Sequence, residues 1–315
     1  MISKMWIAGL GLVALIGLLA GCSASQRRAA EAAYPPVGPV VEVAGKRVHY
    51  VEAGRGPAVI LIHGAGGNLR DFTFRMVDAL DDRYRVIAVD RPGLGHSEAL
   101  PGGGTPQQQA AILDALAAKL GVRKAVIVGH SYGGAVAMAW AVEQPERVAA
   151  VVSLAGATMP WDGPLDGFYS LTGSPAGRTF AVPVISALAS EQRIESALAD
   201  IFKPQAPPPG YLDHVGAPLT VRAETLRNNG QQVLKLKASL QKLAPRYPSL
   251  RIPVEIVHGT ADTTVGIDVH ARPMAALIPG ARVTALPGVG HMPHHANPRA
   301  TLDAIDRAAA RAGLR

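Results

Sequence analysis

The chain has 315 residues, 48% apolar and 17% charged, enough to bury one sizeable core and too apolar for a disordered chain. Its net charge of +7 and pI near 9.7 invite nucleic acid as a partner. Lys and Arg are scattered, however, with no basic helix and no basic–aromatic interleaving, so nucleic-acid binding is set aside. The single cysteine, Cys22, excludes an internal disulfide.

Lys4 is followed by an unbroken apolar run from Met5 to Gly21 that closes as Leu19-Ala20-Gly21-Cys22. Those four residues resemble the lipobox of bacterial lipoprotein signal peptides. The resemblance implies removal of residues 1–21 and a diacylglycerol thioether on Cys22, with Ser23 favouring an outer membrane where the host has one. Two acyl chains hold a protein on a bilayer where one binds only marginally. A retained signal anchor and a plain secretory signal are the alternatives, since the run is near the lower length limit for a spanning helix. Residues 22–39, with Arg27, Arg28, Pro35, Pro36 and Pro39, are expected to tether the domain.

Beyond the tether, Val40 to Ala44 and Arg47 to Glu52 alternate like a hairpin turning at Gly45. Ala58 to Ile62 is continuously apolar, as are Arg85–Val89, Ala125–Val128, Ala149–Leu154, Val254–Val257 and Arg282–Leu286. Such runs fit strands buried on both faces of a parallel sheet. Between them, Leu69–Leu80, Pro106–Leu120, Ser131–Glu143, Val265–Leu277 and Pro298–Ala312 carry apolar residues at helical spacing, with Thr105 a cap before Pro106. The alternation predicts an α/β chain with a mostly parallel central sheet flanked by helices. Residues 158–248 interrupt it with prolines and short helical patterns and no strand. They are expected to cap a core made of 40–157 and 249–315.

Gly129-His130-Ser131-Tyr132-Gly133 is a G-x-S-x-G element placed after a strand and at the start of a helix, where the turn demands small neighbours. With it stand His63-Gly64-Ala65-Gly66-Gly67, the loop Asp90 to Ser97, His258-Gly259-Thr260-Ala261-Asp262, and Gly290-His291. Together they resemble the α/β-hydrolase superfamily from about Val40 to the C-terminus, and match the cap only in position. The resemblance implies Ser131 as nucleophile, His291 as general base, Asp262 as the acid that orients it, and an oxyanion hole of the Tyr132 and Ala65 N–H groups, with Gly66 second to Ala65. His294 and His295 compete with His291 for the base, and Asp268 with Asp262 for the acid. His63, His130 and His258 sit in turn motifs and are read as structural, as is Asp90, expected to order the loop after it. No metal is expected, because His294-His295 have no carboxylate or cysteine at ligand spacing. No cofactor fingerprint is present.

The chemistry this implies is cleavage of an ester or related acyl bond through an acyl-enzyme. A carbon–carbon bond hydrolase and a cofactor-free perhydrolase use similar constellations. A membrane-tethered, non-catalytic binding protein is the reading from another class. The pocket is expected to draw its walls from the cap, around Trp161, Phe168, Tyr169, Phe202 and Tyr211, unless these pack the cap onto the body.

Overall fold

A computed structural model describes residues 21–315. The apolar run as far as residue 20 lies outside the described residues. Eight strands form one sheet in the order β1-β2-β4-β3-β5-β6-β7-β8: β1 (Val40–Val43), β2 (Lys46–Ala53), β3 (Ala58–Ile62), β4 (Arg85–Val89), β5 (Ala125–His130), β6 (Val148–Leu154), β7 (Val254–Gly259) and β8 (Arg282–Leu286). β1 and β2 run antiparallel and the other six are parallel. The β1–β2 hairpin turns at Ala44 and Gly45, both at positive φ (48° and 69°), as a two-residue hairpin turn requires.

The apolar runs split by parity. Ala58, Ile60 and Ile62 of β3 and Ala125 and Ile127 of β5 point into one core, with helices α3 (Pro106–Lys119) and α4 (Tyr132–Glu143). Val59, Leu61, Val126 and Val128 point into the other, against α12 (Pro298–Arg311). Each such side chain contributes about 1.5–3 kcal/mol on burial, so two covered faces explain why these strands do not alternate. Thr105 caps α3 in a full capping box with Gln108.

Between β6 and β7 the chain adds only helices: α5 (Gly167–Gly173), α6 (Val182–Ala187), α7 (Glu191–Phe202), α8 (Tyr211–Val215) and the long α9 (Ala223–Leu243). The segment expected as a tether is helical over residues 21–33 (α1). Its Ala-rich stretch favours helix, and Pro35-Pro36 stops it. This helix rests on the insertion: Ala30 is buried, Glu31 pairs with Arg222 at 2.9 Å, and Gln26 donates to the Ala187 carbonyl at 3.1 Å. No helix among the described residues is long and apolar enough to cross a membrane.

Candidate active site

Ser131 stands between β5 and α4 at φ 52°, ψ −119°, a conformation that costs a non-glycine residue about 1–3 kcal/mol. Three backbone hydrogen bonds fix it there. Its N–H donates to Leu154 at 2.9 Å, and its carbonyl accepts from Gly134 and Ala157 at 2.9 and 3.0 Å. A Cβ on Gly129 would collide with the Gly133 carbonyl, one on Gly133 with the Ile62 carbonyl, and one on Gly134 with Gly156. The motif's glycines are therefore a steric demand of the turn.

The loop after β3 crosses beside the serine, for a Cβ on Gly64 would sit 3.1 Å from that of Ser131. Ala65, Ser131 and Tyr132 line one cavity of about 620 Å³. The Gly66 N–H is committed to Asn229 Oδ1 of α9 at 2.8 Å, whereas among the described residues the N–H groups of Ala65 and Tyr132 have no acceptor. Arg91 holds this loop from behind. It donates to the carbonyls of His63 and Gly64, each at 2.9 Å, and to Gln109 and Gln232, each at 2.8 Å, with its guanidinium 4.3 Å from the Tyr132 ring centroid.

His291 follows β8, and its Nδ1 donates to Asp262 Oδ2 at 2.7 Å. The other Asp262 oxygen accepts the N–H groups of Thr264 and Val265 at 2.9 Å each. Burial alone would raise the Asp262 carboxyl, but hydrogen bonds from His258, His291 and the Val265 backbone hold it well below the usual carboxylate range. His258 Nε2 lies 2.6 Å from the Val265 carbonyl and so carries a proton that also faces Asp262 at 3.3 Å. Among the described residues the Ser131 hydroxyl makes no hydrogen bond; it opens to the cavity. The two loops are tied one residue away, where His130 Nε2 donates to the His291 carbonyl at 2.9 Å. Asp268 is exposed and paired with Arg272, apart from this cluster.

The turn histidines are spent on structure. His63 donates Nδ1–H to Gly64 and accepts the Arg91 N–H at Nε2; burial, then Arg91, pushes its pKa down to about 4. Asp90 accepts from Leu69, His96 and His49, ordering the loop that follows.

His294 and His295, on α11 (Pro293–Ala296), do have a carboxylate partner: Asp71, at 3.2 and 2.8 Å, from α2 (Arg70–Thr73). It lies more than 220 residues away in the chain, so no local spacing reveals it. Ligand atoms of the three residues fall within 4.8 Å of one another. The set nevertheless fits a metal poorly. A metal-bound imidazole donates its other N–H to a partner, and both Nδ1 atoms here are buried without one among the described residues. Asp71 also accepts the Tyr211 hydroxyl of α8 at 2.9 Å. The cluster is a polar knot that joins the insertion to the segment carrying His291.

The aromatics divide accordingly. Trp161 and Tyr169 line the cavity, together with Leu165, Val233, Leu236 and Val265. Phe202 and Tyr211 pack on His295, and Phe168 faces outward. Sequence reasoning missed Arg91, Asn229 and Asp71, whose partners all lie on distant segments.

An eight-stranded, mostly parallel sheet with a strained serine at the β5–α4 turn defines an α/β hydrolase. The profile of the alpha/beta hydrolase family matches residues 59–304. The chain belongs to this family and is a hydrolytic enzyme. It is 32% identical over 254 residues to the dihydrolipoyllysine-residue acetyltransferase component of the acetoin cleaving system of Cupriavidus necator, covering 80% of this chain and only 63% of that relative's length. It is 28% identical to the 2-hydroxy-6-oxo-6-phenylhexa-2,4-dienoate hydrolase of Burkholderia cepacia over 78% of this chain and 85% of that one. The crystal structure of an enol-lactonase from Burkholderia xenovorans superposes with a TM-score of 0.68 at 22% identity, covering 85% of this chain and 98% of its own.

Proposed function

We propose that the chain is a serine hydrolase of uncharged carboxylic esters, with Ser131 as nucleophile, His291 as base, Asp262 as orienting acid, and the N–H groups of Ala65 and Tyr132 as the oxyanion hole. The observation that carries this reading is the sharing of one cavity by a strained serine and two unengaged backbone N–H groups. Ser131 Oγ adds to the ester carbonyl carbon while its proton passes to His291 Nε2. The oxyanion accepts the two N–H groups, each such donor contributing about 10²–10³ in rate. Collapse breaks the ester C–O bond, and the leaving alkoxide takes the proton from His291. Water then adds to the acyl-enzyme as His291 takes its proton; collapse breaks the Ser131 Oγ–acyl bond, His291 returns the proton to Ser131 Oγ, and the acid leaves.

The carbon–carbon hydrolase reading is weaker. A dienoate carries a carboxylate, and among the described residues no Lys or Arg lines the cavity, whose rim holds Asp162 and Asp166. The apolar wall instead suits an uncharged acyl or aromatic group. The non-catalytic binding reading gives no account of the strain kept at Ser131.

A panel of p-nitrophenyl esters of rising acyl length tests the assignment. Hydrolysis is expected in the wild type and lost in Ser131→Ala at unchanged folding. Activity surviving in that variant would mean another nucleophile.

The same proposal includes a lipid anchor at Cys22 and residence on a bacterial envelope membrane, the outer one in a Gram-negative host. Supporting it are the Leu19-Ala20-Gly21-Cys22 run and the placing of the only cysteine, which is exposed. Flotation of the full chain with vesicles checks it.

A further inference from the structure

Large apolar side chains left exposed on this molecule are not scattered. Phe168, Leu171, Phe180, Val184, Leu188 and Leu234 are six of the ten such residues among those described, and all lie on the helical insertion. Phe180, Val184 and Leu188 recur at four-residue intervals through the helical stretch 177–187 and its end, making one stripe, with Phe180 65% and Leu188 62% exposed. The opposite side of that stretch, Val182 and Ser186, is fully buried. Leu234 adjoins α5, since a Cβ on Gly173 would run into its side chain. From residue 167 to 190 the sequence has no Asp or Glu and a single cation, Arg178. Exposed apolar side chains gathered on one insertion in this way mark a binding surface.

Two observations say what covers it. Ser23 meets Ser186 at 3.4 Å, and Gln26 donates to the Ala187 carbonyl. The residues touched are flanked by Val184 and Leu188, and the residues touching them follow directly on the apolar run Met5 to Gly21. These contacts lie on the buried side of the stretch, at its C-terminal end, so the most apolar segment of the sequence ends one helix diameter, about 10 Å, from the stripe. Arg27 and Arg28 are exposed on α1 nearby, placed for anionic headgroups. We propose that this face of the insertion lies on a lipid bilayer, its apolar side chains inserted at the headgroup–acyl boundary, as an interfacial amphipathic helix does. The membrane attachment proposed above supplies its orientation, and the test below separates the two. Tyr169 of the same α5 lines the cavity of Ser131 while Phe168 faces out. The substrate class that follows is an ester carried in the membrane, reaching the serine past α5.

The experiment uses the full chain in vesicles of phosphatidylcholine and phosphatidylglycerol, with tryptophan placed by Phe180→Trp or Leu188→Trp. The wild type, with three tryptophans of its own, gives the background. Val283→Trp on β8 serves as the water-facing reference. The expected result is a blue-shifted added emission, lost with acyl-brominated lipid and resistant to acrylamide, for positions 180 and 188 and not for 283. Protein that floats with the vesicles while its added tryptophan stays open to acrylamide overturns the bilayer seat and leaves the anchor standing. Protection from both quenchers means that protein covers the face, a second copy for example, and also overturns it. Protein that does not float overturns seat and anchor together.

Discussion

Arg91 is buried and forms no ion pair among the described residues, and burial pushes its pKa down to about 10, which still leaves it a cation at neutral pH. Four oxygens and the face of Tyr132 surround it in place of a counter-ion. Two of those oxygens are the consecutive carbonyls of His63 and Gly64, immediately before Ala65. The planar fork of arginine meets all four acceptors, and a lysine ammonium cannot. Arg91→Lys should therefore orphan buried carbonyls at about 1–3 kcal/mol each, lowering the urea midpoint. It should also reduce kcat for an ester more than it changes KM, because under the proposed roles the displaced loop carries an oxyanion donor. A variant with normal kcat would show that the loop is held by other means.

At the scale of elements, α5 and α9 cross at Gly173 and Gly230. A Cβ on Gly230 would stand 2.6 Å from both the Gly173 nitrogen and the Thr172 hydroxyl. Gly230→Val should push α5 off α9 and move Tyr169, giving a lower Tm and an acyl-length optimum shifted to longer chains; an unchanged optimum would detach α5 from substrate selection. The inner strands were legible in the sequence because each buries a short run on both sides, α3 and α12 because caps and periodicity agree, and α4 because the G-x-S-x-G turn marks its start. Leu69 to Leu80 shows what patterning leaves open. Leu69, Phe72, Met76, Val77 and Leu80 are all buried as a helix would bury them, but only Arg70–Thr73 is α-helix, and later bonds such as Val77 to Phe72 and Leu80 to Val77 change span. The expected helix over Val265–Leu277 starts only at Ala271, since Asp262 draws the N–H groups of Thr264 and Val265 into a turn. The Asp262–His291 contact was legible through its motifs. The Gly66–Asn229 contact, which leaves the Ala65 N–H as the free donor, was not, because its partner lies on the insertion.

For the molecule as a whole, acid is the vulnerability. His63 and His270 are each pushed down to about 4, first by burial and then by a neighbouring Arg91 or His258. The unfolded chain binds these protons near pH 6.5 and the folded one does not. Stability is therefore complete above about 6.5 and falls toward pH 4 by about 1.4 kcal/mol per pH unit for each histidine. Urea midpoints at pH 7, 6 and 5 should decline in that order, and a flat series would contradict the buried neutral state. The bonds that close the site also span most of the chain: Gly66 to Asn229, Asn68 to Val215, and His130 to His291, at separations of 163, 147 and 161 residues. A polypeptide made from its N-terminus thus presents Ser131 long before anything that completes the pocket, and under the proposed roles the base arrives within the last 25 residues. Under those roles a half-made chain holds its nucleophile without its base, and activity waits on the last stretch of synthesis.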